Sequence, residues 1–117
     1  MVILTDENYV DKAEEVMKNR ENFSKLTTSK IRNLLKLTST LYDESNVKEY
    51  SELKDKIAYL RVQFVYQAGR DDAVKRLVEK ATILEALKEI QEKDSLQRFC
   101  RYMEALVAYF KFYGGKD

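Results

Sequence analysis

Proline is absent from the whole chain of 117 residues, and glycine occurs three times, at Gly69, Gly114 and Gly115. Those are the residue types that stop helices and build tight turns. A β-sandwich or barrel needs many such breakers, so their scarcity predicts helices joined by short, polar connections. The length fits one core, and a single domain over residues 1–117 is expected. Apolar residues make up 44% of the chain, enough to fill the interior of a compact all-α bundle of five to six helices.

Hydrophobic spacing places the helices. One should begin near Asp6, with Thr5 or Asp6 as cap and Tyr9, Ala13, Val16 and Met17 on a buried face. Residues 19–27 read as a loop. A second helix capped by Thr28 would bury Ile31, Leu34, Leu35, Leu41 and Tyr42. Its opposite face, Ser29, Arg32, Asn33, Lys36 and Thr40, is polar and has no carboxylate.

A third helix, from about Glu49 to Ala68, should end at Gly69. Leu53, Ile57, Leu60 and Phe64 share one side of it, and Ala58, Val62, Val65 and Tyr66 take most of the remainder. Such a helix is expected to be central and wrapped by its neighbours. Asp71 or Asp72 would cap a fourth helix carrying Val74, Leu77, Val78 and Ala81. Near Thr82 the apolar phase slips, which predicts a break and a short fifth helix to about Glu92. Asp94 would cap the last helix, with Leu96, Phe99, Cys100, Met103, Leu106, Val107 and Phe110 inward and Gly114 and Gly115 at its end. Tyr102, Tyr109 and Tyr113 flank that face beside Phe112 and Arg98, as a core boundary or as a protein interface.

The absence of histidine and the presence of one cysteine remove much chemistry. Zinc fingers, histidine-based triads and two-histidine metal sites are impossible within the chain. Cys100 has no disulfide partner and sits mid-face, as an inert buried thiol would. A carboxylate nuclease built on Asp71, Asp72 and Asp94 is disfavoured, because adjacent residues on a helix point about 100° apart. No enzymatic activity, cofactor or metal is expected. No apolar run approaches the length of a membrane span, and MVILTDENY has neither the basic start nor the apolar stretch of a secretory signal. A cytoplasmic location is expected.

Net charge is +1 overall, but the signs come in blocks. Residues 1–21 carry −3, residues 22–42 carry +4 with no acid, residues 43–55 carry −3 and residues 56–70 carry +3 with no acid. Two acid-free basic windows can merge into one phosphate-attracting face once helices pack. Arg61 stands among Ile57, Ala58 and Val65. Two readings of it are open: an ion pair with a carboxylate such as Asp11 or Glu15, or a stem lying along the apolar surface with its head reaching outward. The outward orientation is the expectation.

The segments LTDENYVDKAEEV, TTSKIRNLL, YLRVQFVYQAGRD and, most specifically, the closing FCRYMEALVAYFKFYGGKD resemble the small subunit of type III-A CRISPR effector (Csm) complexes. The likeness extends over essentially the whole chain. It implies an all-α bundle without catalytic activity, stacked in several copies beside backbone and large subunits. It further implies that these copies line the groove for guide RNA and target RNA and hold the target by its phosphates. RNP aromatics, a GXXG loop and a zinc knuckle, the marks of other RNA-binding modules, are missing. Under this reading Lys30 and Arg32 are the first candidates, lying in the first turn of a helix, where an anion is favoured. Lys36 follows one turn on, then Arg61 and Arg70 from the second basic window, and Lys56. The competing reading is a helical adaptor or scaffold whose basic windows merely pair with the acidic ones.

Overall fold

The helix nearest the C-terminus, α6 (Lys93–Phe112), carries the largest share of the core. Leu96, Phe99, Cys100, Tyr102, Met103, Leu106 and Phe110 are all buried along it. In the computed structural model, which describes residues 3–115, five further helices complete the bundle: α1 (Tyr9–Lys18), α2 (Thr28–Ser45), α3 (Tyr50–Arg70), α4 (Asp72–Lys80) and α5 (Ile83–Lys88). No strand occurs among the described residues. α6 packs on α1 and α2, while α3 packs on α2, α4 and α5. The buried side chains form one contiguous cluster, so the interior is shared by every helix.

Two polar side chains are buried on α2, and each satisfies its hydroxyl within the helix. Thr38 donates its hydroxyl to the Leu35 carbonyl at 2.7 Å, and Ser45 donates to the Tyr42 carbonyl at 2.6 Å. Gln97 of α6 then donates to the Ser45 oxygen at 3.0 Å, a latch between the two helices. Burial pushes the Cys100 thiol up to about 12, in keeping with the inert thiol expected there.

The break at Thr82 is where the phase slip put it. Thr82 adopts φ 51, the left-handed region, which a β-branched residue rarely occupies. The Ala81 carbonyl, released from the helical ladder, instead accepts the Tyr102 hydroxyl at 2.9 Å. Tyr102 is therefore core, and desolvation raises the pKa of its phenol. The tyrosine row on α6 is thus split. Tyr113 donates to Glu14 at 2.7 Å, and Arg98 is held by Asp6 at 2.9 Å and by the Leu4 carbonyl.

Several boundaries differ from expectation for local reasons. Thr27 caps α2, accepting from the Lys30 N–H, because it is the residue with extended backbone. Glu92 takes the place of Asp94 at the start of α6, in a reciprocal arrangement with Ser95. α5 stops at Lys88, short of Glu92. α3 runs through Gly69 to Arg70, since Asp71 provides the exit. Thr5 and Asn8 cross-bond one turn ahead of α1, which begins at Tyr9. The 19–27 connection holds a 3-10 turn, Arg20–Phe23. At the other end Gly114, at φ 89, and Gly115 close α6 through N–H bonds to Lys111 and Phe110, a Schellman motif.

The larger correction concerns α3. Only Leu53, Ile57, Leu60, Phe64 and Ala68 are buried, so the helix is a flank and α6 is the centre. Tyr59, Val62, Val65 and Tyr66 remain exposed. A wheel that is apolar nearly all round shows what a helix can bury, whereas the neighbours decide what it does bury.

Candidate nucleic-acid interface

The outward side of α2 matches its sequence pattern, with Ser29, Arg32, Asn33, Lys36 and Thr40 all exposed. α3 runs antiparallel beside it, so that Lys30 lies by Asp71, while Lys36, Leu37 and Thr40 share a groove with Lys56, Tyr59 and Gln63. Arg32 and Lys36, one turn apart, have no ion-pair partner among the described residues.

Two of the expected contacts are committed within the molecule. Lys30 is 3.0 Å from Asp71, whose other carboxylate oxygen accepts the Ala73 N–H and caps α4. The Lys30 hydrogen bond, opposed by partial burial and aided by that cap, holds the Asp71 carboxyl below its ordinary range. Lys56 shares the Glu44 carboxylate with Lys48, which is 2.8 Å away. Bonds from both ammonium groups hold Glu44 low as well. The two basic windows therefore do not merge into one acid-free face, because Glu44, Asp55 and Asp71 come in between them.

Arg61 turns away from α2. It is five residues from Lys56, about 140° around the helix, and it lines a second groove of about 200 Å³ between α3 and α5. No ion pair joins it to Asp11 or Glu15, and its side chain is exposed. This groove is made by Tyr50, Lys54, Ile57, Ala58, Arg61, Leu87, Lys88 and Ile90, three cations with no carboxylate. Lys54 stands 6.0 Å from the Tyr50 ring centroid, and the Tyr50 hydroxyl donates to the Ile90 carbonyl. Lys54 and Lys88 were not among the candidates read from sequence. Lys54 was legible as two turns before Arg61, but Lys88 reaches the groove only through the packing of α5. Arg70, at the far end of α3, lies with its guanidinium carbon 5.8 Å from the Tyr66 ring.

Among the described residues no cluster of carboxylates and thiols is placed to hold a metal ion, and no helix is long and apolar enough to cross a membrane. What the arrangement offers is distributed positive charge at the ends of long, flexible side chains, suited to phosphates in a repeating chain.

Comparison with known proteins agrees with the sequence resemblance. A family model described as Csm2 Type III-A matches residues 4–116. The chain is 66% identical to the CRISPR system Cms protein Csm2 of Streptococcus thermophilus over the full length of both. It is 48% identical to the protein of that name from Mycobacterium tuberculosis, covering 100% of this chain and 99% of the other. With the counterpart from Enterococcus italicus it shares 39% identity over 78% of this chain and 70% of the other. By the full-length family match and these identities, on an all-helical scaffold of the expected kind, the chain belongs to the Csm2 small-subunit family of type III-A CRISPR systems.

Proposed function

We propose that this protein is a non-catalytic small subunit of a cytoplasmic RNA-guided interference complex, present in several copies beside backbone and large subunits. In this reading the copies line the groove for guide and target RNA and hold the target by its phosphates. Base pairing supplies the sequence readout, so the subunit contributes charge and shape alone. The observation that carries the reading is the acid-free groove where Lys54, Arg61 and Lys88 converge. Arg32 and Lys36, exposed on α2 and without a paired carboxylate, supply a second set of contacts. Arg70 stands at the margin, and Lys30 and Lys56 contribute only by partly leaving their carboxylates.

A specific observation favours the adaptor reading in part: Lys30 and Lys56 neutralise acids of the same chain, as a scaffold without RNA would have it. Target-RNA filter binding by the assembled complex at two or more salt concentrations separates the two. Lys54→Ala/Arg61→Ala/Lys88→Ala should weaken retention and flatten the dependence of log affinity on log salt by about 0.7 to 0.9 for each phosphate no longer neutralised. Arg32→Ala/Lys36→Ala should act in the same direction. Unchanged affinity and slope in both variants would leave the adaptor reading standing.

A further inference from the structure

α5 has only six residues, well under the length at which a helix keeps its shape in water without support. Ile83, Ala86 and Leu87 seat one side of it in the core, and side chains from other helices grip its ends. At the entry the Tyr102 hydroxyl donates to the Ala81 carbonyl at 2.9 Å. Beyond the exit the Tyr50 hydroxyl of α3 donates to the Ile90 carbonyl at 3.2 Å. Lys88, with Leu87 and Ile90, forms one wall of the groove whose other wall carries Lys54 and Arg61. The spacing of the three cations therefore depends on where α5 lies.

A further grip on the exit comes from the other end of the sequence. The Ile3 N–H donates to the Glu89 carboxylate at 2.6 Å, across 86 residues of chain. The acceptor is a half-buried carboxylate, so the bond is of the stronger, charge-assisted kind. The donor is itself held in place. Leu4 is buried, and the Ile3 carbonyl accepts from the Asn8 side chain at 3.2 Å. Arg98 of α6 donates to the Leu4 carbonyl at 3.3 Å and to Asp6 at 2.9 Å. Glu89 thus ties the exit of α5 to a segment that is anchored on α1 and α6.

Glu89 and Ile90 are adjacent, yet their bonds run to different parts of the molecule, one to the segment ahead of α1 and one to α3. A single bond would leave the exit free to swing about it, and two together fix it. Lys88 comes immediately before both and has no ion pair of its own among the described residues. The Glu89 carboxylate, although next in sequence to a groove cation, is drawn to Ile3 and does not line the groove.

We infer that the segment Ile3–Asp6 is a strap that holds α5 through Glu89 and so places Lys88 opposite Lys54 and Arg61. Glu89 is a positioning residue, acting through Lys88 and contributing no phosphate contact of its own. The strap stands on the bonds of the folded chain alone, while its effect on RNA rests on the function proposed above for the groove.

Glu89→Gln and Glu89→Ala test this as a pair, because both remove the charge but only glutamine keeps an oxygen that accepts the Ile3 N–H. Amide order parameters of the purified chain, from nitrogen-15 relaxation, report the strap without RNA. At residues 87–90 they should stay near about 0.85 in Glu89→Gln and fall toward about 0.6 in Glu89→Ala. Those of α6 should be alike in both. In the assembled complex, filter binding of target RNA should be about twofold to fivefold weaker in Glu89→Ala than in Glu89→Gln, the worth of one exposed ion pair. In a Lys88→Ala background that difference should vanish, because the side chain that the strap places is gone. Equal order parameters at residues 87–90, a loss of order spread through α6, or a binding difference that persists without Lys88 would overturn the inference. So would equal binding by the two variants where Lys88→Ala itself binds less. If Lys88→Ala binds as tightly as the wild type, the RNA reading of the groove fails, and the order parameters alone decide the strap.

Discussion

The ammonium of Lys30 lies 3.0 Å from the carboxylate of Asp71, joining the first turn of α2 to the cap of α4. A side chain with the sequence credentials of a phosphate contact is thereby a structural tie. Lys30→Ala should lower stability by about 0.2 to 1 kcal/mol, the worth of a partly exposed pair. Asp71→Ala, which also removes the cap, should cost about 1 to 2 kcal/mol. Arg32→Ala, with no ion-pair partner to lose, should stay within about 0.5 kcal/mol of wild type. Thermal melting of the three variants side by side checks the order.

The same pair sets an acid limit. The folded pKa of Asp71 is depressed below its ordinary 3.8, so its stabilisation is fully present above that value and disappears as pH falls through the folded pKa. Melting temperature measured from pH 6 downward should therefore fall below about pH 4 more steeply in the wild type than in Asp71→Asn. Parallel profiles would show that Asp71 is not part of the acid transition.

Tyr102→Phe removes the donor to the Ala81 carbonyl while keeping the ring in the core. The carbonyl retains the Thr82 hydroxyl, its nearest alternative donor at 2.7 Å. The expected loss is about 0.5 to 1.5 kcal/mol, with no change in helix content by circular dichroism. A larger loss would mean that the break between α4 and α5 depends on this one bond.

Arg61→Ala should be nearly silent in melting, within about 0.5 kcal/mol, because its guanidinium is exposed and has no ion-pair partner among the described residues. A loss of about 3 to 5 kcal/mol would instead be the signature of a broken buried ion pair.

How legible these features were in the sequence depended on their range. The acid-free face of α2 could be read directly, because residues three and four apart share a side whatever surrounds the helix. The break at Thr82 was legible for a similar reason, since a shift in apolar phase is local. The caps were harder. Thr27 and Thr28, or Glu92 and Asp94, differ by one or two positions and offer similar side chains, and backbone geometry chose between them. The internal roles of Lys30 and Lys56 could not be read at all, as their carboxylates lie 41 and 12 residues away on other helices.

By itself the sequence determined the helical class, through the near absence of breakers and the 3.6-residue period of its apolar side chains, and the closing stretch determined the family likeness. It also ruled out histidine and multi-cysteine chemistry by composition alone. Tertiary structure decided which helix became the centre: α6 is covered on both sides by α1 and α2, whereas α3, no less apolar around its circumference, has neighbours on one side only. It likewise decided which cations were spent on internal carboxylates and which converged on the groove of Lys54, Arg61 and Lys88. The physical reason is the same for both. Periodicity is a property of one helix, and burial and charge pairing are properties of the distances between helices, which only the packed chain defines.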